Sequence, residues 1–260
     1  ICACLVGSEM CIRDSLKGVF HRMIQTIDGL LPDTDYEIML VRANEASETV
    51  TFHTEPEPIT LNVRDFGAFG DGVHDDTSAI QAAILCCPKN ARVLIPKGTY
   101  PVTALFLKSD MILELQENAV LAGIYDRART PILPGQIEYD NEDGYYNLGS
   151  WEGNPIDSFA SMITGIHVKN VTICGKGVLD GRADFENWWS RPKDKIRAWR
   201  PRMIFLNHCE NITVVGVTVQ NSPAWNLHPY FSNQIRFLDM EVKGPANSHN
   251  TDGCDPESCT

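Results

Sequence analysis

Asn170-Val171-Thr172-Ile173-Cys174-Gly175-Lys176-Gly177-Val178-Leu179-Asp180-Gly181 decides how this chain is read. A short β-branched run meets a glycine turn, and a second short apolar run closes on Asp-Gly. That is the mark of two strands separated by a tight corner. The pattern then returns. Asn211-Ile212-Thr213-Val214 introduces Gly216-Val217-Thr218-Val219-Gln220-Asn221-Ser222, and Asn233-Gln234-Ile235-Arg236-Phe237 introduces Met240-Glu241-Val242-Lys243-Gly244. Asn211 and Asn233 stand 22 residues apart. Units of this kind bury their apolar face only by stacking on the next unit. The chain is therefore expected to be all-β, a right-handed parallel β-helix.

Working upstream, short apolar strands are read at Arg92-Val93-Leu94-Ile95, Leu105-Phe106-Leu107, Met111-Ile112-Leu113-Glu114-Leu115 and Ala119-Val120-Leu121-Ala122. They are preceded by one helix, with Asp76 or Thr77 as N-cap and apolar residues at Ile80, Ala83, Ile84 and Cys87, ended by Pro88. This helix is expected to plug the open end of the solenoid. With no second amphipathic helix, an alternating βαβ sheet is disfavoured. Two stretches interrupt the repeat. Residues 123–160 carry Tyr125, Tyr139, Tyr145, Tyr146, Trp151 and Phe159, and residues 182–202 carry Trp188, Trp189 and Trp199. In solenoids such insertions map to loops that often form the binding face.

Ahead of the linker at residues 56–60 (Glu55-Pro56-Glu57-Pro58 is stiff and exposed), residues 16–55 have strand character. Tyr36, Ile38 and Leu40 alternate as in a half-buried strand, a polar hairpin follows at Asn44-Glu45-Ala46-Ser47, and Thr49–Thr54 is read as a second strand. The spacing Leu30-x-Pro32-x-Thr34-x-Tyr36 resembles the tyrosine corner of fibronectin type III domains, so a partial module of that type, a fragment of a β-sandwich, is expected here. Residues 1–15 lack the basic flank of a signal peptide and are expected to be non-native or disordered. The solenoid is assigned to residues 61–260.

Lys and Arg total 22 against 34 Asp and Glu, a formal charge of −12, which argues against a nucleic-acid or membrane-surface binder. A locally basic cleft still accommodates an acidic sugar. The nine cysteines are scattered and form no paired CxxC, so no metal site is expected. Those inside apolar runs, such as Cys174, read as small core residues. For Cys254 and Cys259, free thiols are favoured over a disulfide. The sequons Asn170-Val171-Thr172 and Asn211-Ile212-Thr213 fall inside the coil repeat and are read as turn asparagines.

Two motif groups carry a family resemblance. Asp65-Phe66-Gly67-Ala68-x-Gly70-Asp71-Gly72-x-x-Asp75-Asp76-Thr77 resembles the opening of pectin-lyase-like β-helices. The pair Asp75-Asp76 is read as helix and turn chemistry rather than as a catalytic dyad. Asn221-Ser222-Pro223-Ala224-Trp225-Asn226-Leu227-His228-Pro229 followed by Asn250-Thr251-Asp252-Gly253-Cys254-Asp255-Pro256-Glu257 is similar to consecutive coils of glycoside hydrolase family 28, which includes the polygalacturonases. The resemblance implies inverting hydrolysis of α-1,4-galacturonosidic bonds, with neither cofactor nor metal and with a galacturonan polysaccharide as partner. Exo action is mildly preferred from the module order.

By that resemblance Asp252 is the carboxylate that holds and deprotonates water, and the general acid lies on the next coil. Substrate contacts are assigned to Asn250, Asp255, His228 and Trp225. Arg200 and Arg202 are read as ion-pairing residues, and Trp188-Trp189 as a buried loop anchor. The family's later landmarks, a Gly-Asp-Asp, a Gly-His-Gly and an Arg-x-Lys, fall beyond Thr260. The chain is thus expected to be an inactive fragment of an active parent, whose localisation the sequence leaves unknown; a secreted or periplasmic place follows only from the biology of pectin. The rival readings are a related pectinolytic β-helix, such as a rhamnogalacturonan hydrolase or a calcium-dependent pectate lyase, and a non-catalytic carbohydrate-binding or tailspike-like β-helix.

Overall fold

The computed structural model describes residues 2–7, 18–19, 27, 29–42, 45–138 and 145–260. The chain divides into two units, Ile1–Pro58 and Ile59–Thr260. In the first, the described strands pair antiparallel in the order Gly18–Val19, Cys2–Gly7, Asp35–Arg42, Glu45–His53. The second hairpin strand begins at Glu45 rather than Thr49, so Glu45, Ala46 and Ser47 lie within the ladder and not in a loop. A register shift at Leu40/Val41 lets the pairing run to the end of the hairpin. Asn44, and residues 8–15 of the segment read as non-native, lie outside the described residues, as does Tyr139. The Tyr36 phenol oxygen accepts a hydrogen bond from Leu31 N at 2.7 Å, and the ring stacks on Phe52 with centroids 5.8 Å apart.

The second unit is the parallel β-helix. Three sheets run along it. The first is ordered Thr60–Asn62, Ala91–Ile95, Met111–Leu115, Lys169–Gly175, Glu210–Val215, Asn233–Leu238. The second is ordered Gly98–Val102, Ala119–Gly123, Val178–Asp180, Thr218–Gln220, Glu241–Lys243, and the third Leu105–Phe106, Ile163–Ile166, Ile204–Asn207, Leu227–Tyr230. Successive strands are parallel because each coil returns in the same direction. Alternate residues face inward. Register then stacks like on like: Val93 beside Leu113, Leu113 beside Ile173, Ile173 beside Val214. All four are fully buried, and burial of each such side chain stabilises the fold by about 1.5–3 kcal/mol.

The helix Thr77–Cys86 buries Ile80, Ala83 and Ile84. Its amide side chain Gln81 completes an edge: Nε2 donates to Phe106 O at 2.9 Å and Oε1 accepts from Phe106 N at 2.7 Å. Leu105–Phe106 is the edge strand of the third sheet, so this amide replaces the backbone of a coil that is not there. The acidic pair divides its work. Asp75 Oδ1 accepts from Thr77 N, whereas Asp76 makes no side-chain cap bond and instead holds Phe69 N and Gly70 N at 2.6 and 2.9 Å. Both carboxylates shape turns.

One corner of the coil is a ladder of amides. Asp110, Asn170 and Asn211 share the left-handed conformation, with φ of 59°, 55° and 55°. Asn170 Nδ2 donates to Asp110 Oδ1 at 2.8 Å, Asn211 Nδ2 to Asn170 Oδ1 at 2.9 Å, and Arg236 Nη1 to Asn211 Oδ1 at 2.9 Å. The sequon asparagines are thus turn residues engaged along the stack. The third repeat starts one residue later than its asparagine suggests. Glu210 pairs with Asn233, which leaves Gln234 (φ 53°) in the corner. At the following corner a side chain on Gly175 would overlap Leu115 O, and Gly175 also has φ of 107°, so glycine is required there.

We expect Asn211→Ala to destabilise the protein by about 1–3 kcal/mol, because it removes two ladder bonds and places alanine in the left-handed region. Asn211→Gly relieves the backbone part and costs less. Urea unfolding of both variants measures the difference.

Candidate active site

The third sheet continues past Leu227–Tyr230 into the chain's last described segment. Leu227 bridges to Cys254 and Tyr230 to Glu257, both parallel. Asp255 N donates to Leu227 O and Glu257 N to Pro229 O, each at 2.9 Å. This register sets Asp255 beside His228. The turn leading into it is held from below: buried Asn226 donates through Nδ2 to Thr251 O and Asp252 O at 3.0 Å each. Asn250, with φ of 55°, is fixed through Oδ1 by Arg200 Nη2 at 2.7 Å. Arg200 also donates to Pro223 O at 2.6 Å and His249 O at 2.8 Å. One guanidinium therefore staples two consecutive coils.

The sequence motif Asn250-Thr251-Asp252-Gly253 thus becomes a rigid corner that presents Asp252 to solvent. An open cleft of about 460 Å³ lies over it, lined by Glu152, Trp225, Asn250, Asp252, Cys254, Asp255, Pro256 and Glu257. A neighbouring hollow of about 340 Å³ shares Asn250 and adds Trp151, Lys193, Trp199 and Arg200. Both insertions foreseen as loops contribute. Trp151 stacks on Trp225 with centroids 4.3 Å apart and planes at 20°, making an aromatic wall between the two spaces.

The electrostatics separate the carboxylates. Burial, reinforced by the charge of Asp252 and opposed by Arg202, pushes Asp255 up to about 6. Its Oδ2 is buried with no hydrogen-bond partner. Burial works against the charge of Glu257 as well. There, however, hydrogen bonds from His228, Ser150 and the Gly153 backbone outweigh it and hold the carboxyl below its ordinary value. Burial also drives His228 down, against the pull of Glu257, so it is neutral at neutral pH. Since the Glu257 carboxylate only accepts, His228 carries its hydrogen on Nε2, 3.1 Å from Glu257 Oε2.

Of the expected substrate contacts, Asn250, Asp255 and Trp225 line one space together with the expected catalytic Asp252. His228 does not. It is fully buried under Phe205 and Trp225, and it reaches the cleft through the Glu257 carboxylate and the Trp225 ring. Arg200 and Arg202 correct their reading as ion-pairing residues. Both are buried; burial lowers each to about 10, which leaves it charged at neutral pH. Arg202 lies 5.3 and 5.4 Å from the Trp151 and Trp225 rings and donates to Ser150 O. Among the described residues neither forms a salt bridge: Arg200 is held by carbonyl and amide oxygens, and Arg202 by cation–π contact and a carbonyl bond, with the charges of Glu257 and Asp255 acting on it. Trp188 and Trp189 are buried, with Arg127 4.5 Å from the Trp188 ring centroid. Cys254 and Cys259 are free thiols. Beyond the expected residues, the cleft is lined by Glu152, Cys254, Pro256 and Glu257, and the neighbouring hollow by Trp151. Glu257 stands two residues after Asp255 on one strand, a period-2 relation that marks a shared face. Trp151 lies in the aromatic insertion expected to supply a binding loop, whereas no local signal marks Glu152. Among the described residues no group of three or more metal-ligating side chains gathers.

Residues 133–260 match the family model of glycosyl hydrolases family 28. The chain is 31% identical over 203 residues to a probable polygalacturonase of Vitis vinifera, covering 75% of this chain and 39% of that protein. It is 35% identical over 217 residues to the exo-poly-alpha-D-galacturonosidase of Dickeya chrysanthemi, covering 78% and 34%. The family 28 exopolygalacturonase of Yersinia enterocolitica superposes with a TM-score of 0.69 at 26% identity, over 88% of this chain and 47% of that one. The exopolygalacturonase of Thermotoga maritima gives 0.64 at 26% identity, over 77% and 50%. Residues 133–260 are the part of the chain that carries the match to glycosyl hydrolase family 28. The chain spans between a third and two-fifths of the length of these two curated relatives.

Asp255 has a folded pKa above its unfolded value, so its contribution to stability is fully present at low pH and is lost as pH rises from 3.8 through about 6. Asp255→Asn is expected to flatten that fall in a pH series of unfolding curves. Asp252→Asn should lower the Asp255 midpoint in a carboxyl-carbon NMR titration yet leave it above the ordinary value, because its burial persists.

Proposed function

We propose that the parent protein, to which this chain contributes the Asp252 coil, hydrolyses α-1,4-galacturonosidic bonds of polygalacturonate with inversion, releasing sugar from a chain end. The observation that carries this reading is the pair Asp252 and Asp255 in an open, sugar-sized cleft walled by stacked tryptophans. Asp252 is exposed, and it accepts a proton from water as that water attacks the anomeric carbon. The bond to the leaving oxygen breaks, and that oxygen takes a proton from a carboxylic acid across the scissile bond, about 6.5–9.5 Å from the base. By the family resemblance we take this acid to lie on the coil following Asp252–Asp255. Asp255, held largely protonated below pH 6, donates a hydrogen bond to a sugar hydroxyl. Lys193 and Asn250 face the neighbouring hollow, where a cation suits a uronate carboxylate.

Exo action is supported by the two exo-acting relatives in sequence and structure. The loops that flank the cleft on the Trp151 and Lys193 sides suit closure of one end.

The full-length protein is expected to release monogalacturonate from polygalacturonate from the first minutes, in the presence of chelator and without an ultraviolet-absorbing unsaturated product. The first anomer seen by proton NMR should be β. Asp252→Asn should lower kcat by about 10²–10⁴-fold with little change in KM. Unsaturated products, or full activity in the Asp252 variant, overturn the reading.

A further inference from the structure

Glu257 does more than border the cleft. Its backbone continues the third sheet through the bridge to Tyr230, and its side chain is only 18% exposed. Oε2 accepts from His228 Nε2 at 3.1 Å, inside the coil. Oε1 accepts from Ser150 Oγ at 2.8 Å and from Gly153 N at 2.7 Å, in a segment more than a hundred residues earlier. That segment is a hairpin of two pairs only, Ser150↔Pro155 and Trp151↔Asn154, turning through Glu152 (φ 51°) and Gly153 (φ 78°). So short a hairpin has no stability of its own, and its place is set by what anchors it. The anchors are Glu257 at the turn, Arg202 on Ser150 O, and the Trp151–Trp225 stack.

We propose that Glu257 is a positioning residue, a clasp that ties the Ser150–Pro155 hairpin to the buried His228 and so holds Trp151 and Glu152 as the wall against which a uronate sugar binds. The binding half of this inference rests on the galacturonan reading above. Three donors converge on one acceptor-only group, and the charge-assisted bonds are roughly twice as strong as neutral ones. Arg202 holds the first hairpin strand at Ser150 O, and Glu257 holds the turn itself at Gly153 N. The hydrogen bonds that keep Glu257 ionised are the same bonds that hold the hairpin.

The test is a double-variant cycle with two independent readouts, in an Asp252→Asn background that prevents turnover. Circular dichroism reports the exciton couplet of the Trp151–Trp225 stack, and calorimetric titration reports affinity for trigalacturonate. Glu257→Gln keeps the size but sets an amide NH₂ against donors. It should abolish most of the couplet and weaken trigalacturonate about tenfold. Trp151→Ala should weaken binding by a similar factor, and adding Glu257→Gln to it should change nothing further. Ser150→Ala removes one donor and should give an intermediate couplet, which keeps the test open if the Glu257 variant fails to fold. An undiminished couplet in both Glu257→Gln and Ser150→Ala, or additive losses in the cycle, overturns the clasp. If the parent chain does not bind trigalacturonate, the galacturonan reading fails, and the couplet alone then decides whether Glu257 clasps the hairpin.

Discussion

Parallel register is the constraint on which the rest of this structure depends. Each coil hydrogen-bonds to the one before it with no residue of slack, and a slip of one position would turn every apolar side chain outward. Val93, Leu113, Ile173 and Val214 form one inner column because of that register. Asp110, Asn170 and Asn211 form a corner column for the same reason, each in the left-handed conformation and each bonded to the next. The corner and the core thus enforce one another. The ends of the stack are the places where this mutual support stops, and at one of them the Gln81 amide supplies the missing pair of bonds.

The cleft is a consequence of the same stacking. Since His228 and Asp255 occupy matching positions on adjacent strands, a buried imidazole, a half-buried carboxyl and the Glu257 carboxylate are brought close together. Arg202 lies beneath them, its charge faced by tryptophan rings rather than by a single ion-pair partner. In such surroundings burial is the first influence on every group, and hydrogen bonding decides which carboxyl escapes it. Glu257 has three donors and is held low; Asp255 has an unpartnered buried oxygen and is raised. Two carboxyls two residues apart therefore hold opposite protonation tendencies at mildly acidic pH, the kind of division acid–base chemistry on sugars requires.

The solenoid was legible because its signal is local and repeated. A β-branched run, an asparagine or glycine corner and a second short run announce a coil each time they recur. The helix and its buried stripe were legible through their period. The third repeat was misread by one residue, since Asn233 carries the expected letter but Gln234 holds the corner. Only pairing with the preceding strand fixes that choice.

The sequence by itself determined the coil architecture, the family motif and the exposed Asp252 at its centre, because turn chemistry and strand period act over a few residues. Only the tertiary structure decided that His228 is buried, that Arg200 and Arg202 are staples instead of surface ion-pairing groups, and that Glu257, Trp151 and Glu152 belong to the cleft. Those roles depend on which distant coil or hairpin lies against each side chain. Ser150 and Glu257 are 107 residues apart in sequence and 2.8 Å apart in space. No local pattern records that distance; the stacking register and the closing of the hairpin create it.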